Sequence, residues 1–147
     1  MKKFILVILL IFISSFVNAE ELKIFSDQLQ INRNEKISTF TGNVHVIGKQ
    51  FELWSDKLLV KTNEDESQIK EILAFNRVKI NRDNTLATGE NASYFPEMNT
   101  LYIRGDVEVI ENNNTVYCSE LIIDIENSSS IMTGGSTNRV EALIFSN

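Results

Sequence analysis

Apolar and polar residues alternate one for one through most of this chain. Leu22 and Ile24, Leu29 and Ile31, Val44 and Val46, Phe51 and Leu53, and Leu58 and Val60 each hold one parity. So do Val78 and Ile80, Leu101 and Ile103, Val107 and Val109, then Leu121, Ile123 and Ile125, and finally Val140, Ala142 and Ile144. Polar side chains fill most of the gaps, as Lys79 does between Val78 and Ile80 and Glu108 between Val107 and Val109. A period of two sends successive side chains to opposite faces, so the pattern predicts β-strands with one buried face. Clusters rich in Asn, Asp and Ser interrupt it at residues 32–35, 81–84, 112–114 and 127–130, with Gly134-Gly135 as a last loop. Such residues accept positive φ or bond to their own backbone, so the clusters read as hairpin ends, and about ten strands follow.

Residues 64–75 read two ways. Ile69, Ile72 and Leu73 fall at helical spacing behind an acidic start, which suits a short amphipathic helix. The alternative is a charged loop at residues 63–67 followed by a strand from Ile69, and the repeat described next favours it. The single proline, Pro96, falls in a loop between strands, where a residue that cannot donate to the ladder belongs.

The strands recur as a two-part phrase. One part holds an acid: Ser26-Asp27, Ser55-Asp56, Gly89-Glu90 and Ser119-Glu120, with the acids 29, 34 and 30 residues apart. The other is a turn followed by alternating apolar residues, beginning at Gly42-Asn43, Asn76-Arg77 and Gly105-Asp106. A period of this length marks a stack of supersecondary units, each too small to bury its own face. The expected fold is therefore all-β and elongated.

The first nineteen residues differ from the rest. Lys2 and Lys3 precede an apolar run to Val17, and Val17-Asn18-Ala19 offers small residues for cleavage. This is a secretory signal peptide, residues 1–19, and the run is short for a membrane span of about 20 residues. The folded domain is then 20–147, 128 residues with 12 basic and 20 acidic side chains, a net charge of −8. That balance disfavours nucleic acid, which needs clustered cations.

Catalytic and metal chemistry find little support. Cys118 is the sole cysteine and reads as a buried small hydrophobe, so no disulfide framework and no Cys/His zinc site is expected. His45 lies between Val44 and Val46 and should face outward. No nucleophile elbow and no glycine-rich phosphate loop is present. Asp27, Asp56, Glu90 and Glu120 recur once per repeat, which favours a structural turn role over carboxylate chemistry on a β-helix. No enzyme activity and no cofactor are expected.

What remains is apolar area. The interior should be lined by Leu29, Ile31, Val44, Val46, Phe51, Leu53, Leu58, Val60, Val78, Ile80, Leu101, Ile103, Val107, Val109, Leu121 and Ile123, which share parity on their strands. Closely packed sheets would make this a core alone. Splayed sheets would leave a slot for acyl chains.

The stretch 37–44, Ile-Ser-Thr-Phe-Thr-Gly-Asn-Val, followed by Trp54-Ser55-Asp56-Lys57-Leu58-Leu59-Val60, resembles the signature of the OstA-like (LptA) family. Residues 24–28 and 100–107 also fit, and the likeness covers about residues 23–145. The resemblance implies an open β-jellyroll, two antiparallel sheets in a V-shaped cross-section, that shields the lipid A acyl chains of lipopolysaccharide in the periplasm. It implies stacking end to end, with itself or with inner-membrane LptC-like and outer-membrane LptD-like jellyrolls, to bridge the two membranes. Residues 22–26 and 139–145, which lack proline, are the expected edges. An LptC-like protein that keeps its N-terminal segment as an anchor, and a β stack without ligand, are the alternatives.

Overall fold

The computed structural model describes residues 21–145; the expected leader lies outside the described residues. Ten strands follow in order: β1 (Lys23–Phe25), β2 (Gln28–Asn32), β3 (Ile37–Ile47), β4 (Glu52–Thr62), β5 (Ile69–Arg82), β6 (Thr85–Phe95), β7 (Thr100–Glu111), β8 (Asn114–Asp124), β9 (Ser129–Thr133) and β10 (Glu141–Leu143). They form one antiparallel sheet, ordered β1-β3-β4-β5-β6-β7-β8-β10, with β2 also on β3 and β9 also on β8. It never closes into a barrel, because β1 and β2 end it on one side and β9 and β10 on the other. β5 begins at Ile69, which resolves the two readings of residues 64–75 in favour of strand. The residues before it form a loop in which Asn63 Oδ1 accepts from the Ser67 and Gln68 amides.

The long strands are bent rather than broken. The ladders skip register between Thr41 and Val44, Trp54 and Lys57, Phe75 and Val78, Thr88 and Asn91, and Arg104 and Val107. These bulges fall in line across the sheet and fold it into two half-sheets that share strands β3 to β8, since an extra residue bends its strand. The motifs at Gly42, Asn76 and Gly105 are therefore corners inside continuous strands, not turns between strands as the sequence suggested.

Each corner uses a pair of left-handed residues: Gly42-Asn43 (φ 86° and 46°), Asn76-Arg77 (65° and 49°) and Gly105-Asp106 (87° and 45°). The acid of the preceding strand packs onto the pair. Asn43 Nδ2 donates to Asp27 Oδ2 at 2.9 Å, and Arg77 grips Asp56 through Nε and Nη2 at 2.7–3.1 Å. A Cβ at Gly42 or Gly105 would collide with Asp27 or Glu90, so glycine is needed there for space as well as for φ. Ser26 and Ser55 each donate to the carbonyl two residues on, at 3.1 Å, and satisfy the backbone where the ladder lapses. Glu120 departs from this scheme and pairs with Arg104 at 2.7 Å. The thirty-residue period is thus the spacing of corner acids.

The core lies between the half-sheets. Register links its residues into rows that share a face, such as Leu29, Phe40, Leu58, Ala74, Ala92, Ile103, Leu121 and Met132. Fourteen of the sixteen residues expected inside are buried. Leu29 and Ile31 are the corrections, at 50% and 56% exposed. Their parity is inward, but they lie on terminal β2, and opposite them the other half-sheet ends in the three residues of β1. No described strand covers them. Ile72, Ala74, Ala87, Ala92, Tyr94, Cys118 and Ile125 complete the buried set.

Candidate functional site

The space between the half-sheets is bounded by hydrocarbon. Among the described residues its buried polar groups are the Ser55 hydroxyl, already bonded to the Lys57 carbonyl, the Tyr94 phenol and the Cys118 thiol. Such a surface can accept acyl chains or other apolar groups. Leu58 and Ile103 have 0% exposure, and Val78 and Leu121 1%, so no water-sized gap borders them. A chain of methylenes enters this region only if the half-sheets part.

One margin of the interior is the spine formed by the aligned corners. The other is a mouth, where hairpin ends of the two half-sheets face each other. Two contacts cross it. The Phe51 and Tyr94 rings meet edge to face with centroids 5.5 Å apart. Arg82 Nη2 donates to the Ile125 carbonyl at 2.9 Å, and Ile125 is itself held to its own half-sheet by its amide bond to the Asn99 carbonyl. The ring pair contributes about 0.5–1.5 kcal/mol beyond its burial. The half-buried charged hydrogen bond contributes at most about 1.5–3 kcal/mol.

The sequence missed this latch. Arg82 reads as part of a hairpin end, yet Val78, Ile80 and Arg82 share one parity, so an inward-facing cation at the rim was legible. The alanines of β6 were missed because small side chains give a faint alternation signal.

The other candidates take structural positions. His45 is half-buried on the outer face, stacked on Trp54 at 4.8 Å with Nε2 2.9 Å from Glu52 Oε2. Lys79 lies 5.2 Å from the Trp54 ring, continuing the stack across the sheet from β3 to β5. Cys118 is buried, and desolvation pushes its thiol up, away from the reactive thiolate. Asp27, Asp56, Glu90 and Glu120 sit at the corners; the Arg77 hydrogen bonds hold the Asp56 carboxyl below its usual range. The acids do not converge, and no group of His, Cys, Asp and Glu among the described residues could hold a metal ion. No described helix is long and apolar enough to cross a membrane.

Comparison with known proteins agrees with this geometry. No curated protein matches the chain. Among solved structures, LptH of Pseudomonas aeruginosa superposes with a TM-score of 0.77 at 13% identity, over 86% of this chain and 96% of that one. That protein is described as the LptA-homologous periplasmic component of the conserved lipopolysaccharide transport device. At this identity the likeness shows the fold: an open jellyroll made of one bent sheet. The family model for the LptA/(LptD N-terminal domain) LPS transport protein matches residues 23–129, which span β1 to the start of β9, and the chain belongs to that family of lipopolysaccharide transport proteins.

Proposed function

We propose that this protein is a non-enzymatic carrier that holds the lipid A acyl chains of lipopolysaccharide between its half-sheets. It would act in the periplasm after loss of residues 1–19, bridging inner and outer membranes during outer-membrane assembly. The observation that supports this most is the course of the inward rows. The row from Met132 through Ile103, Leu58 and Phe40 is apolar at every strand and surfaces at the open end as Leu29, with Ile31 exposed beside it, so apolar surface continues from the interior to the point where a like fold would join. Edge strands β1 and β10 carry no proline, and among the described residues each keeps one side unpaired. They suit head-to-tail pairing with a second copy or with LptC-like and LptD-like jellyrolls.

The closed packing at Leu58 and Ile103 favours a second reading, a β stack with no ligand. Native mass spectrometry of the protein purified from its own envelope separates the two. The carrier should retain a glycolipid adduct that an organic wash removes. Bare protein under conditions that preserve other lipid complexes would refute the carrier reading.

A further inference from the structure

Arg82 occupies the last inward-facing position of β5, two residues beyond buried Ile80. Its row continues through Thr85 and Glu111. The side chain thus stands where hydrocarbon gives way to water, at the mouth. Arg77 and Arg104 are each paired with a corner acid at 2.7 Å. Arg82, in contrast, has no carboxylate within ion-pair distance among the described residues, and its one side-chain bond goes to the neutral Ile125 carbonyl. A guanidinium has five donors in a planar fork suited to two oxygens of one anion. Most of that capacity is unspent here, in a chain whose overall balance is acidic.

We infer that Arg82 binds the anionic head of the amphiphile whose acyl chains enter beside it, and that the ligand class is a phosphorylated acyl lipid. Resting on the carrier reading above, the inference adds a head-group site to the apolar interior. In the closed protein the guanidinium is parked on the Ile125 carbonyl and helps shut the mouth. When the half-sheets part, that bond breaks and the fork pairs with a phosphate at the rim, so one residue both latches the empty protein and orients the loaded one.

The test uses the mature chain, diphosphorylated lipid A and the enzymatically dephosphorylated lipid with the same acyl chains. Affinities are measured for the native protein, Arg82→Gln and Arg82→Lys, with circular dichroism on each. Arg82→Gln should weaken binding of the phosphorylated lipid about tenfold, the loss of one charged hydrogen-bonded pair. It should leave the dephosphorylated lipid as tight or tighter, because the latch is gone, and Arg82→Lys should recover part of the phosphate preference. Equal loss for both lipids, or no loss for either, overturns the head-group role while the carrier reading stands. Native protein that binds neither lipid overturns both.

Discussion

Gly89 is the position where one methyl group should report most directly on how the half-sheets meet. It lies at the bend of β6, opposite Val78, and its φ is not among the left-handed ones. Backbone conformation therefore does not require glycine. Space does. A Cβ there would fall 2.5 Å from Ile103 Cγ2 and 3.2 Å from the Arg104 carbonyl oxygen. Ile103 belongs to one half-sheet and Gly89 leads into the other, so this contact sets how closely they converge at the spine.

Gly89→Ala should cost about 1–3 kcal/mol by overpacking. Ile103→Ala, at a site with 0% exposure, should cost about 2–5 kcal/mol through lost burial and the cavity left behind. In the double variant the offending Cγ2 is gone, and the new methyl fills part of the vacancy. Only the moderate approach to the Arg104 oxygen remains. The double variant should therefore lose at least about 1 kcal/mol less than the sum of the singles. Urea unfolding of the four proteins gives the comparison. Additivity within about 0.3–0.5 kcal/mol would show that the two sites do not touch, and the tight spine would be wrong.

Three further outcomes are expected. Val46→Asp or Ile103→Asp should abolish acyl-lipid binding, whereas Glu108→Gln on the outer face should be nearly silent; binding retained by a folded Val46→Asp protein counts against the interior as the site. Arg77→Gln should raise the titration midpoint of Asp56 in a carboxyl NMR titration. The lowered folded-state value means that this pair's contribution is present above the unfolded carboxylate pKa and fades as pH falls through the folded one, so an unmoved midpoint refutes the pairing. Self-association measured by light scattering should grow with concentration, as open-ended contacts do, and Ala142→Pro in β10 should reduce it; a concentration-independent monomer removes self-stacking.

Strand positions were legible because alternation is a local property: Val78 and Ile80 announce their face with no knowledge of neighbours. Corners were half-legible. Gly42-Asn43 and Gly105-Asp106 show left-handed residues, but nothing local says whether the chain reverses or only bends, since that depends on the adjacent strand continuing through the same point. β9 was missed because Ser129 and Ser130 resemble a turn, and its strand character comes from pairing with β8. The exposure of Leu29 and Ile31 was hidden for a different reason. Parity assigns a face, whereas burial needs a strand opposite, and β1 has only three residues to offer.

A shut interior and a carrier role are compatible in magnitude. The latch contacts described, one half-buried charged hydrogen bond and one ring pair, are worth roughly 2–4.5 kcal/mol. Each methylene moved out of water contributes about 0.8 kcal/mol, so about six buried methylenes offset them. Parting the half-sheets also exposes core surface, but an acyl chain lying between them covers that surface again with hydrocarbon. The spine is harder to disturb, because strands β3 to β8 pass through it as continuous chain. Under the carrier reading opening would occur at the mouth, where Arg82 and the Phe51–Tyr94 pair form the seam. Short apolar molecules lack the methylenes to offset the latch, whereas a multiply acylated lipid has them in excess, so under the carrier reading the closed state would favour acyl-rich cargo.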